Sequence, residues 1–216
     1  PTLLEMKKLV ASDLTILPCL HQGDIANEKD DFKKLADKDV HAQFTEKMLY
    51  LLDTMDFTVL AVVLDKKTHL EQYQKSAYHP YHFCMNVLLE RYIFCLQEKN
   101  AKGDVLAETR GGKEDILLKK EYTRFYEEGT NFIKPNYTQQ FLSSSQLKLQ
   151  PKQRQIAGLE FADLLSLATK LDTLRSYKRI EPLTENFIKT IIDKIQKNYR
   201  CPVSKSINGF GRKLIG

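Results

Sequence analysis

Three carboxylates stand where carboxylates can do chemistry: Asp65, Glu108 and Asp163. Asp65 ends FTVLAVVLD, the most apolar run of the chain, and ligands of open α/β sheets bind outside the carboxyl ends of strands. Aspartate is also favoured at turns and helix N-caps, so a cap is the competing reading. Glu108, in DVLAETRGG, shares a strand face with Leu106 and precedes Arg110 and two glycines that permit a tight turn. Its competing reading is a surface ion pair with Arg110, worth little. Asp163 lies in QIAGLEFADLLSLATK, where Glu160 and Asp163 are the only charges between Ile156 and Ala168. A carboxylate on so apolar a helix requires a basic partner, a metal or a cleft edge, because burying it alone is costly. Carboxylates from three elements meeting at one point would suit Mg2+ or Mn2+. Such hard cations take oxygen ligands, and two of them about 4 Å apart activate water and stabilise the leaving oxygen of a phosphodiester.

Other side chains are weaker candidates. His21, in LHQGDI, follows an apolar segment and could position a phosphate or exchange a proton, although a lone histidine is more often structural. His79 and His82 flank Pro80 and Tyr81 at a helix start, where their spacing suits a metal but a capping role competes. Tyr122, Tyr126, Tyr137 and Phe141 could stack bases, yet near-helical spacing favours a core or subunit contact. No P-loop, GxGxxG, GxSxG or HExxH pattern occurs, which argues against nucleotidase, dehydrogenase, serine hydrolase and zinc protease chemistry.

The elements that must hold these residues can be read from apolar periodicity. Residues 2–11 form one helix, and Val40 to Met55 a second with Val40, Phe44, Met48, Leu51, Leu52 and Met55 on one stripe. Leu14 to Leu20 reads as a short strand, pushed to an edge by Pro18, followed by a polar turn. Residues 57–65 describe a strand covered on both faces, and a short polar helix is expected from Thr68 to Lys75. A long helix over Tyr81 to Glu98 precedes a strand from Asp104 to Glu108. A helix at 113–128 stopped by Gly129 comes next, then a weak strand at Gln146 to Leu149, and helices at 156–169 and 184–198. This alternation implies an α/β fold with a mixed sheet flanked by helices.

The chain has 216 residues, enough for one substantial core. With nine glycines and seven prolines it leaves little room for a linker, so a single domain over residues 1–216 is expected. The net charge of +5 is compatible with nucleic acid without indicating it. The clearest basic bias is at 178–216, read as a basic helical tail carrying Lys178, Arg179, Lys189, Lys194, Lys197, Arg200, Lys205, Arg212 and Lys213. That tail either touches phosphate or is simply solvated. Cys19, Cys84, Cys95 and Cys201 show no CxxC pair, and Cys84 and Cys95 read as small hydrophobes. No apolar run approaches the roughly 18 residues of a membrane span, and no signal peptide is seen, so a cytoplasmic location is expected.

The segments LHQGDIANEKDDFKKL, FTVLAVVLDK, YHFCMNVLLERYIFCL, VLAETRGGKEDILLKKEYTRFYEEGTNFI and KQRQIAGLEFADLLSLA, in that order, resemble the DUF3800 family. Glu160 stands where that family usually has glutamine. The resemblance implies a ribonuclease-H-like fold and a divalent-metal-dependent nuclease or phosphodiesterase. In that reading Asp163 and Asp65 or Glu108 hold Mg2+ or Mn2+, and His21, Lys66 and Arg110 are accessory residues of the same cleft. The implied partner is DNA or RNA; a homo-oligomer or a protein partner is the assembly expectation. The alternative is a catalytically inactive nucleic-acid-binding or protein-assembly module of a defence or mobile-element system. The family opens with a strand carrying Asp-Glu-Ser-Gly, and residues 1–19 hold nothing similar, so an N-terminally incomplete domain is expected.

Overall fold

The computed structural model describes residues 1–74, 79–202 and 206–216. In chain order the elements are α1 (Thr2–Val10), α2 (Gln22–Ala26), a 3-10 helix (Asp30–Ala36), α3 (Lys38–Thr54), β1 (Ala61–Leu64), α4 (Lys66–Tyr73), α5 (Pro80–Glu98) and β2 (Leu106–Glu108). Then follow α6 (Gly112–Glu128), α7 (Pro135–Phe141), β3 (Lys148–Gln150), α8 (Ala157–Ser176), α9 (Phe187–Ile195) and β4 (Arg212–Ile215). The α/β class expected from the sequence is what the chain adopts.

Local chemistry explains where the helices begin and end. Asp37 caps α3 by accepting from the amides of Asp39 and Val40 at 2.9 and 3.2 Å. Pro80 and Pro135 open α5 and α7, where a missing N–H costs nothing. Gly129 stops α6 at φ 71°, and a Cβ there would lie 2.1 Å from the Ile133 carbonyl oxygen, so only glycine fits.

Two apolar clusters result. One joins α1, α3, α8 and α9 through Met6, Val10, Phe44, Leu52, Leu165, Ile192 and their neighbours. The other joins α5, α6 and α7 to β2 and β3 around Ile93, Tyr122, Phe125 and Phe141. Tyr122 and Phe141 are therefore core residues, and Tyr122 donates its hydroxyl to the Ser144 carbonyl at 2.9 Å.

Several expectations need correcting. Among the described residues the strands form two separate two-stranded parallel sheets, β1–β4 and β2–β3, rather than one mixed sheet. Residues 14–20 form no strand, because side chains take their backbone groups: Asp13 accepts from Thr15, Gln155 donates to Leu17 and Glu160 accepts from Leu20. The polar stretch after His21 holds α2 and the 3-10 helix, anchored by buried Phe32 and Leu35. The apolar run at 57–65 is a strand only from Ala61, and Val62, Val63 and Leu64 are half-buried rather than covered on both faces.

The basic tail is also different. Helix α9 belongs to the main core, and residues 212–215 form β4, paired with β1 from Ala61↔Arg212 to Leu64↔Ile215. Of the residues named in the sequence reading, Lys75 and Lys205 lie outside the described ones.

Candidate functional site

The three carboxylates singled out by sequence have three different surroundings. Asp65 follows β1 and accepts from the amides of Lys67 and Thr68 at 3.0 and 3.3 Å, the geometry of an N-cap for α4. The Thr68 amide is the main reason its carboxyl titrates below the usual aspartate range. Glu108 is exposed at the end of β2, opposite Gln150 of β3. Asp163 sits on α8 with its side chain 36% exposed, accepts from the Gln22 amide at 2.7 Å and lies 3.9 Å from His21 Nε2. Among the described residues no group of three or more His, Cys, Asp or Glu side chains is arranged to hold a metal ion. The expected Mg2+ or Mn2+ site of Asp65, Glu108 and Asp163 is therefore not assembled among the described residues.

What the structure does bring together is His21 with Asp163. Helix α8 packs on α2, so the LHQGD and GLEFADL segments meet. His21 Nδ1 is 3.1 Å from Asp24 Oδ2, close enough for an ion pair but not aligned as a hydrogen bond. Burial pushes the Asp24 carboxyl up, but the hydrogen bond from Lys152 and the charge of His21 outweigh it and hold the carboxyl below its ordinary value. One turn away, Glu160 makes the buried ion pair that the sequence reading had considered for Asp163. It lies 2.8 Å from Lys7 Nζ, with side chains 4% and 7% exposed, and also accepts from the Leu20 amide at 2.9 Å. Lys7 gave no sequence signal, since the apolar stripe of α1 hides a lysine that points inward.

Lys66 and Arg110 come together elsewhere. They line a hollow of about 470 Å³ with Leu64, His79, Pro80, Tyr81, His82, Cys84, Glu114 and Leu117. It lies where β1 and β2 both end, the position favoured for ligands in parallel sheets. Arg110 stacks over the Tyr81 ring with its guanidinium carbon 4.5 Å from the centroid, and Glu114 Oε2 is 4.0 Å from its Nη1. The Arg110 and Gly111 amides bond the Asp115 carboxylate at 2.8 and 3.1 Å, which shapes the turn holding the guanidinium. The His79 and His82 rings lie 4.7 Å apart. Burial first, and the charge of His79 second, push His82 below its ordinary value. His79 stands at the N-cap position without a side-chain cap bond, so the capping role expected of this pair is not what its side chain does. The HPYH spacing was visible in the sequence; its proximity to Lys66 and Arg110 was not, because it depends on how α5 packs.

The cations of the C-terminal region are mostly committed within the fold. Lys189 pairs with Asp193 and Glu185, Lys194 and Lys197 with Asp53, Arg200 with Glu98, and Arg212 with the fully buried Asp172. Lys178 and Arg179 line a separate hollow with Arg175, and Arg179 is close enough to Asp65 to lower its pKa slightly. Among the described residues no helix is long and apolar enough to cross a membrane. No protein-family model, no curated protein and no solved structure matches the chain.

Proposed function

We propose that this chain is a nucleic-acid-binding protein of ribonuclease-H-like architecture that grips phosphodiester at the cleft where β1 and β2 end. The observation that carries the reading is the meeting of Lys66, Arg110, His79 and His82 around one open hollow at the carboxyl ends of two strands. A guanidinium suits the fork of two phosphate oxygens, and lysine adds a mobile point charge. Among the described residues Lys66 makes no ion pair and Arg110 only a long one, so a phosphate would have little internal competition. Tyr81, already under the Arg110 guanidinium, offers a ring against which a base could stack. Titrating labelled single-stranded DNA and RNA oligonucleotides against the wild type and the Lys66→Ala/Arg110→Ala double variant tests the proposal. Loss of binding at unchanged Tm supports it.

A further inference from the structure

Among the described residues, the two strands that end at the basic cleft are each paired on one side only. Along 59–65, the amides of Val59, Ala61 and Asp65 donate to Asn198, Gly211 and Ile215, and the Val59 carbonyl accepts from Arg200. Odd-numbered residues thus face β4 and the Tyr199 segment. Backbone groups alternate sides along a strand, so Leu60, Val62 and Leu64 direct their N–H and C=O the other way. The second strand repeats the arrangement. Gly103, Val105 and Thr109 bond Phe141, Ser143, Lys148 and Gln150, which turns the backbone of Leu106 and Glu108 away from β3.

These two unpaired edges belong to neighbouring strands that do not pair with each other. Helix α8 packs on β4, β1 and β2, so the ladder is interrupted between β1 and β2 over one supporting helix. Helix α5 also reaches both sides: it packs on β1, while Tyr92 donates to the Asp104 carbonyl at 3.2 Å. Both strands run toward the same cleft, since Leu64 and Arg110 line it together. Apart from the exposed Glu108 at the end of β2, the side chains along the interruption are apolar and incompletely covered; Val62 and Leu64 are half-buried and Leu106 is 38% exposed. Two-stranded parallel sheets are unusual, because parallel strands are normally buried inside larger sheets.

We propose that the interval between β1 and β2 is an acceptor site for one extended partner strand of polypeptide, which joins the two ladders into a single five-stranded sheet. Its occupant is defined by the groups that would meet it. Alternate amides and carbonyls of Leu60, Val62 and Leu64 on one side, and of Leu106 and Glu108 on the other, call for a strand that bonds along both edges. Helices α5 and α8 and the apolar flanks call for β-branched residues. The Lys66 and Arg110 cations at the cleft call for an acidic residue at the strand's carboxyl end when it runs parallel to β1 and β2. Backbone alternation along β1 and β2 defines this site whether or not the cleft binds phosphodiester.

The test uses the 216-residue chain and a blocked seven-residue peptide of valine, isoleucine and threonine ending in aspartate. The expected result is saturable binding that raises Tm by several degrees, with at least about tenfold weaker binding when lysine replaces the terminal aspartate. Val62→Pro removes an amide that faces the interval, not one that serves β4, so it should leave Tm nearly unchanged and abolish peptide binding. Val63→Pro, which removes an amide of the β1–β4 ladder, should lower Tm instead. Equal binding of the peptide to wild type and Val62→Pro, or no binding at millimolar peptide, would overturn the proposal. So would a dimer that forms without peptide and dissociates in Val62→Pro, since a second copy would then fill the site. Oligonucleotide binding that persists while peptide binding fails would leave the phosphodiester reading standing alone.

Discussion

The carboxylates along α8 and the cations around the cleft make an instructive contrast. Glu160, Asp163 and Asp172 each meet a partner from another element: Lys7 of α1, the amide of Gln22 at the start of α2, and Arg212 of β4. Asp172 is fully buried, and takes bonds from Arg175 and Gln196 as well. These are groups whose hydrogen-bonding capacity is used by the fold. Lys66, Arg110, His79 and His82 surround open space, and the carboxylate paired with the Arg110 guanidinium, Glu114 in the first turn of α6, is 4.0 Å away. Charge that is satisfied internally holds a structure together, whereas charge left facing a hollow is available to a ligand. The difference is a stronger guide to function than residue type, since the sequence had placed the chemistry among the carboxylates.

Breaking a buried pair should cost stability and leave binding intact. Asp172→Ala strands Arg212 and is expected to destabilise the chain by about 3–5 kcal/mol, read by urea unfolding. A loss under ~1 kcal/mol would mean that β4 is not tied down through this aspartate. Glu160→Ala should cost about 3 kcal/mol, because it leaves the Lys7 ammonium buried and the Leu20 amide without its acceptor. The double variant Glu160→Gln/Lys7→Met keeps that acceptor and removes both charges, and should recover most of the loss. A double variant no better than Glu160→Ala would show that the site needs its ions.

Smaller effects should follow pH. Asp24 titrates below its unfolded value, so it contributes stability that is present above about pH 3.9 and lost as pH falls through its folded pKa. Asp24→Asn should therefore flatten the acid limb of a Tm-against-pH curve; an unchanged limb would place the sensitivity elsewhere. His82 also titrates low, so its protonation, too, opposes folding as pH falls, while a bound phosphate would favour the protonated form. Oligonucleotide affinity should accordingly rise several-fold between pH 7.5 and 6, and His82→Ala should lose part of that rise.

Periodicity revealed α3, α5 and α6 within a residue or two, each carrying its apolar stripe in sequence order, whereas α8 continues to Ser176, well past the expected end at residue 169. Strands were harder, because three or four residues of a half-buried ladder look like any short apolar run. β4 was hidden in a segment whose charges suggested solvent, though Arg212 spends its charge on Asp172. Asp65 displayed its cap chemistry in its residue type, yet the sequence could not choose between cap and ligand. The cleft was legible only in fragments, since Lys66, His79, His82 and Arg110 come from three stretches that tertiary packing alone brings together.

The salt dependence of oligonucleotide binding tests the phosphodiester account most directly. Wild type should lose affinity steeply with added salt, and Lys66→Ala/Arg110→Ala should flatten the log–log slope by about 1.4, roughly 0.7 for each single-strand phosphate contact removed. The same slope for both proteins, or no binding by the wild type at low salt, would contradict it.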